Sequence, residues 1–329
     1  MTDKEKVLLI NADAKFNLAI RKLYRYYKNR TYDIRYLDLE LDYYSDKQIT
    51  EINCRGYNLI YISCIFENSL AKIILCNVSE KAKIDIGGVG TQFFNKRLPD
   101  EIEQLEPYYF DEDEISYNFI TRGCIRNCYF CKVRPSEGYI RLNKHPKDMI
   151  MLKRTEFLDN NILAYPEHLE ILYWLVKSQK RIHFNQGLDF RLVTHDNLNL
   201  LSKLNYDREY IFAFDDISYM PLIEEKMKLI KTYIPKPYKT KWYVYVNKNM
   251  SVQDTVKRVK FLMNNKCLAY IMRDKNCYDK SDESNFYKDL SAYCNQPSFY
   301  KKCDLEELLI KRKVPTDRIK KDLEYWNSC

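Results

Sequence analysis

Residues 119–134 read Phe119-Ile120-Thr121-Arg122-Gly123-Cys124-Ile125-Arg126-Asn127-Cys128-Tyr129-Phe130-Cys131-Lys132-Val133-Arg134. Three cysteines fall within eight residues, spaced C-x₃-C-x₂-C. The apolar run over 115–120 that leads into them predicts a strand. A strand that ends in a loop of three thiols is a place to hold a metal. Three thiolates on one short loop suit three corners of a cubane [4Fe–4S] cluster, which takes four ligands when all are cysteine. With no fourth cysteine nearby, one iron is left open to a small molecule. A structural zinc site is the competing reading. It needs four N/S ligands, and His145 and Cys267 are the candidates for the fourth. A c-type haem requires C-x-x-C-H, and Lys132 follows Cys131.

Working outward, the 329 residues suffice for two domains or one large α/β barrel with extensions. The hydrophobic fraction of 46% is ordinary for a globular chain. There is no apolar run long enough to span a membrane, and the charged start at Met1-Thr2-Asp3-Lys4 is unlike a signal peptide, so a cytoplasmic location with no membrane partner is expected. Eleven scattered cysteines fit a reducing compartment better than a disulfide framework. The net charge of +8 is compatible with an anionic partner, a nucleic acid or a phosphorylated metabolite. The abundance of Lys, Asn, Ile and Tyr also reads as AT-rich coding bias, so the 29 tyrosines by themselves say little about base stacking.

Ahead of the cysteines, strands are expected at 6–13, 34–39, 58–64 and 83–90, with helices at 15–28 and 69–76. That alternation predicts a doubly wound, Rossmann-like parallel sheet over 1–95. Gly87-Gly88-Val89-Gly90 does not match G-x-G-x-x-G and reads as a turn at the end of a strand. Residues 96–114, with Asp111-Glu112-Asp113-Glu114, read as a solvated linker. Behind the cysteines, strands near 156–161, 181–191, 210–216, 241–247 and 266–273 alternate with helices. Thr194 and Ser251 are expected N-caps. With the strand at 115–120 this gives six βα units over 115–276, and polar residues gather where the strands end, the edge at which βα barrels carry their sites. Residues 277–329 are expected to form a helical tail with basic clusters.

The C-x₃-C-x₂-C spacing, with aromatic Phe130 just before the third cysteine, resembles the radical S-adenosylmethionine (SAM) superfamily. The parallel-sheet domain ahead of it resembles the branch with a cobalamin-binding-like N-terminal domain, as in B12-type enzymes and methylthiotransferases. The resemblance implies a partial (β/α)6 barrel in which Cys124, Cys128 and Cys131 hold a [4Fe–4S] cluster whose open iron chelates SAM. It implies reductive cleavage of SAM to a 5′-deoxyadenosyl radical that abstracts hydrogen from a substrate, with electrons from a donor such as flavodoxin or ferredoxin. Carried over by position, Phe130 lies beside the adenine, and Asp159, Asn160 and Asn161 meet the SAM ammonium. Asp189 and Arg191, taken as one face of an extended strand, hold the ribose or the SAM carboxylate. Gln186, Asp215, Asp216, Arg273 and Arg141 are weaker candidates, and His183 reads as a packed histidine. Cobalamin is weighed without its usual D-x-H-x-x-G signature, since all four histidines follow the cysteines. A second cluster from Cys54, Cys64 and Cys76, or from Cys277, Cys294, Cys303 and Cys329, is weighed in the same way. The substrate is open between a nucleic acid and a small metabolite or peptide. A non-enzymatic zinc or iron–sulfur protein is the alternative of another class.

Overall fold

The computed structural model describes residues 4–42, 48–93 and 96–328. The chain divides into two units, Met1–Tyr117 and Asn118–Cys329.

The first unit is organised by β1 (Lys6–Asn11), whose Val7, Leu8, Leu9 and Ile10 are buried on both faces, as in a central parallel strand. β1 pairs in parallel with β2 (Asp33–Asp38) and with β4 (Leu59–Ser63), and β4 pairs in parallel with β6 (Lys83–Gly87). The resulting sheet has the order β2-β1-β4-β6. Alternate side chains point to opposite faces. Val7 and Leu9 meet Ile20, Leu23 and Tyr27 of α1 (Leu18–Lys28), which starts where Asn17 caps the Ile20 N–H. Leu8 and Ile10 pack with Ile52 and Cys54 on the other face. A doubly wound sheet would place a helix there. The structure instead places a two-stranded parallel layer, β3 (Thr50–Asn53) with β5 (Ile73–Cys76). The helix expected over 69–76 is thus corrected to a 3-10 turn, Leu70–Lys72, followed by a strand. Ile73 and Ile74 are β-branched, which disfavours helix and suits a pleated surface.

The segment expected as a solvated linker is packed. α2 (Asp100–Glu103) buries Ile102 in the core beside α1. Asp113 pairs at 2.8 Å with the buried Arg21, whose guanidinium lies over the rings of Phe16, Tyr36 and Phe110.

The boundary between the units falls inside β7 (Ile115–Asn118). A two-residue antiparallel clasp follows, β8 (Thr121–Arg122) with β9 (Arg141–Leu142), and α3 (Val133–Glu137) lies between its arms. β10 (Arg154–Phe157), β11 (Arg181–Phe184) and β12 (Asn205–Tyr206) form a sheet ordered β12-β11-β10-β7. β13 (Tyr210–Ala213), β14 (Thr240–Val246) and β15 (Leu268–Arg273) form a second, parallel sheet. Leu188 bridges Phe212 and donates its N–H to Ile211 O at 2.8 Å, which links the two.

The connecting helices are α4 (His168–Ser178), α5 (His195–Lys203), α6 (Met220–Tyr233) and α7 (Val252–Asn264). Thr194 caps α5 in a capping box with Asn197, and Ser251 caps α7, both as expected. Trp242, Val244 and Val246 of β14 share one core with Ile223 and Met227 of α6 and Val256 and Val259 of α7. The tail is α8 (Asp282–Cys294), α9 (Pro297–Tyr300), α10 (Leu305–Lys311) and α11 (Thr316–Asn327). Its Phe286, Leu290, Leu305 and Leu309 belong to that same core, so the tail is part of the second unit. Among the described residues no helix is long and apolar enough to cross a membrane.

Candidate functional site

The cysteine loop runs from β8 to α3 and is held at three places. At its base the β8–β9 clasp closes, and the Cys124 N–H donates to Gly138 O at 3.1 Å. Gly123 has φ +82°, and a Cβ there would collide with Tyr139 O, so only glycine suits the position. Along its side, Glu137 pairs with Arg122 at 3.0 Å and accepts from the Gly123 N–H at 2.9 Å and Asn160 Nδ2 at 3.0 Å. Arg134 donates to Cys124 O at 2.9 Å. At its tip, Phe130 stacks on Tyr245 of β14 at 4.0 Å between centroids, and Asn247 Nδ2 donates to the Tyr129 hydroxyl at 2.9 Å.

The three sulfurs are half-buried. Cys124 Sγ accepts from the Arg126 N–H at 3.3 Å and from Asn161 Nδ2 at 3.6 Å, and Cys131 Sγ accepts from the Val133 N–H at 3.5 Å. Burial raises the pKa of Cys128 and Cys131, and the neighbouring thiols and Asp215 add to it. The thiols therefore stand close enough to repel one another as anions, and a bound cation relieves that repulsion.

The polar residues at the strand ends divide into two roles. Asp159 follows β10 and is fully buried. Its carboxylate accepts from the Ile120 N–H at 3.0 Å, the Thr121 N–H at 2.5 Å and the Thr121 hydroxyl at 2.6 Å. Burial pushes its pKa up to about 6 against these bonds. Both oxygens are committed to the start of the cysteine loop, so Asp159 positions that loop and does not face a ligand. Asn160 is spent on Glu137. Asn161 is the one of the three that reaches a sulfur, Cys124 Sγ, and its buried Oδ1 has no partner among the described residues.

Asp189 and Arg191 are paired as expected, but not as neighbours on one face of a strand. β11 ends at Phe184, Gly187 turns the chain with φ +99°, and Asp189 caps a 3-10 turn at Phe190–Leu192. Arg191 Nε lies 2.6 Å from Asp189 Oδ1. Arg126, from the cysteine loop itself, donates to Asp189 Oδ2 at 3.0 Å, and Asn161 Nδ2 does so at 3.3 Å. Burial works against the Asp189 charge, but the Arg191 and Arg126 contacts outweigh it and hold its carboxyl below the usual range. Asp215 stands near Cys128, Arg191 and Arg258, with a pKa pushed up to about 6 by burial.

Other candidates go elsewhere. Asp216 caps the turn at Ser218, Arg273 lies over the Tyr278 ring, and the Arg141 guanidinium donates to Glu137 O. Gln186 is exposed. His183 is packed edge-on to Tyr206, with its pKa pushed down to about 4 by burial and Arg208. Glu137 and Arg126, not singled out from the sequence, are integral to the loop. A signal for Glu137 exists: it is the one acid in the basic stretch 119–147.

Among the described residues no group of three or more His, Cys, Asp and Glu side chains is arranged to hold a metal ion. One ion needs its cysteine ligands about 2.3 Å from a common point. A cubane takes one thiolate per iron and so needs its cysteines further apart. The proposed fourth zinc ligands are also placed elsewhere. Cys267 Sγ lies 3.8 Å from Met227 Sδ, and His145 packs on Trp174 while its Nδ1 accepts from the Lys147 N–H. Cys54 and Cys64 are buried as small apolar groups, as are Cys277 and Cys294 in the second unit. Cys329 lies outside the described residues.

The carboxyl edge of the first sheet does not fit cobalamin. Between β1 and β4, where such sheets take ligands, Asn17 bonds the Ser63 hydroxyl at 2.9 Å and Asp13 accepts from the N–H groups of Ile65 and Phe66. Gly88 and Gly90 lie so close to the Cys64 and Phe66 backbones that a Cβ would collide there. The unit's own side chains and turns bond one another along that edge. No protein-family model matches this chain, and no curated protein matches it.

Proposed function

We propose that this chain is a radical SAM enzyme with a partial (β/α)6 barrel in its second unit. The observation that carries the reading is the cysteine loop. Three thiols in C-x₃-C-x₂-C spacing stand on a clamped loop that follows the first of six successive strands, with backbone and amide N–H groups aimed at two of the sulfurs. The order β7, β10, β11, β13, β14, β15, with Leu188 bridging Phe212 at the join, supports the barrel.

The residues present fit the cofactors. Cys124, Cys128 and Cys131 would ligate three irons of a [4Fe–4S] cluster, and hydrogen bonds to the sulfurs would tune its potential. The unpartnered Asn161 Oδ1 is a buried acceptor suited to the SAM ammonium. Arg126 and Arg191, fixed by Asp189, suit the SAM carboxylate, and the flat pair Phe130 and Tyr245 suits the adenine. When bound, the reduced cluster and SAM supply a 5′-deoxyadenosyl radical that takes a hydrogen atom from the substrate. The protein's part is to orient both and to exclude water and oxygen.

Anaerobic reconstitution with iron and sulfide, reduction and addition of SAM test the reading. The expected outcome is about four irons per chain and formation of 5′-deoxyadenosine, both lost in Cys128→Ala. Tightly held zinc without iron, and no SAM binding, would overturn it.

A further inference from the structure

The cysteine hairpin is one of the strongly basic stretches of this chain. Between residues 119 and 147 stand seven Lys and Arg and a single acid, Glu137, a local net charge of +6. Arg122 and Arg126 are neutralised by Glu137 and Asp189. Arg134 and Arg141 are different. Each is oriented by a backbone carbonyl, Cys124 O and Glu137 O, and a carbonyl fixes a guanidinium without cancelling its charge. Large apolar groups stand on the same hairpin, with Tyr129 77% and Tyr139 71% exposed and Ile125 and Leu142 exposed beside them. Arg134 lies over the Tyr139 ring at 3.0 Å.

Oriented cations interleaved with exposed aromatic faces match the backbone and bases of a single strand. A duplex hides its base faces. An acidic protein would use the charge and leave both tyrosines unexplained. Building on the radical SAM reading, we propose that the outer surface of the cysteine hairpin binds a single-stranded nucleic acid, and that the substrate is a nucleotide within that strand.

The test is fluorescence anisotropy with the full-length protein and mixed-sequence 20-nucleotide single-stranded RNA and DNA probes, beside a blunt duplex, between about 50 and 200 mM salt. Single strands should bind more tightly than duplex, with affinity falling steeply as salt rises. Arg141→Gln should reduce the slope of log affinity against log salt by about 0.7. Tyr139→Ala should weaken binding roughly ten-fold at every salt concentration without changing that slope. Because both side chains are exposed, circular dichroism should be unchanged. Tyr173→Ala, an exposed tyrosine of α4 outside the hairpin, serves as a second control and should bind as the wild type does. In the reconstituted protein, the bound strand should also raise the rate of 5′-deoxyadenosine formation. Absence of salt-dependent binding, or equal binding of duplex with no effect of Tyr139→Ala, would overturn the inference. So would binding of an acidic flavodoxin to this face while nucleic acid is ignored. Binding is read without SAM, so loss of strand binding with SAM cleavage intact removes this inference alone. Strand binding with no cluster removes the radical SAM reading instead.

Discussion

At the level of single residues, this structure turns on which way a buried carboxylate points. Asp159 gathers two backbone N–H groups and a hydroxyl from the start of the cysteine loop. Asp159→Asn places an amide donor among these donors, and the expected loss is about 1–3 kcal/mol in denaturant titration, together with lower iron loading. Asp189→Asn leaves Arg126 and Arg191 without their anion. Breaking a buried pair costs about 3–5 kcal/mol, and solvent at the two partly exposed arginines lowers the expected loss to about 2 kcal/mol. The same denaturant titration measures it. The sequence places both acids at the ends of strands, and there the structure agrees. Their roles were hidden because they depend on groups far along the chain. Thr121 is 38 residues from Asp159, and Arg126 is 63 residues from Asp189. The pairing of Asp189 with Arg191 was read correctly on a mistaken geometry, since the strand ends at Phe184, Gly187 turns the chain and a 3-10 turn makes the contact.

At the level of elements, the hairpin that carries the cysteines depends on two glycines in unequal ways. Gly123 lies against the Tyr139 carbonyl, whereas a Cβ at Gly138 would meet nothing within 4 Å. Gly138→Ala should cost only its backbone strain, φ +78° and ψ −154°, of order 1–3 kcal/mol. Gly123→Ala must push the two arms of the clasp apart. Its expected signature is reduced iron uptake at a retained far-ultraviolet circular dichroism spectrum, with Gly138→Ala loading close to the wild type. Helices whose caps were read, α5 and α7, were legible almost to the residue, whereas α1 starts three residues later than expected, at Leu18, and β1 ends two residues earlier, at Asn11. The stretch 69–76 was not. A short apolar run has no period long enough to separate strand from helix, and the pairing of Ile73–Cys76 with Thr50–Asn53 decides it.

For the molecule as a whole, the tail helices are structural members of the second unit, and they make its stability depend on pH. Asp322 of α11 is buried beside Asp289 of α8, which also pairs with Arg318. Burial, and then the Asp289 charge, push Asp322 up to about 7. Lys321 and Asp282 form an exposed pair on the same helices, with Glu283 nearby. Between about pH 4, where an unfolded aspartate titrates, and about pH 7, the folded chain keeps a proton that the unfolded chain has released. Stability attributable to this group therefore falls as pH rises through that window. Melting temperatures from pH 4.5 to 8 should show this decline, and Asp322→Asn should flatten it relative to the wild type. The basic character of the chain was legible from composition, but the placement of Arg134 and Arg141 on one hairpin with the exposed rings of Tyr129 and Tyr139 mattered more than its total. One consequence follows from the way the cysteine loop is fastened at base, side and tip by contacts that need no metal. In a zinc finger the ion and the fold arrive together. Here the receptacle is finished first. On the proposed function, maturation would then be delivery into a ready mould, and oxygen that stripped the iron would leave an intact vessel to be refilled rather than a chain to be discarded.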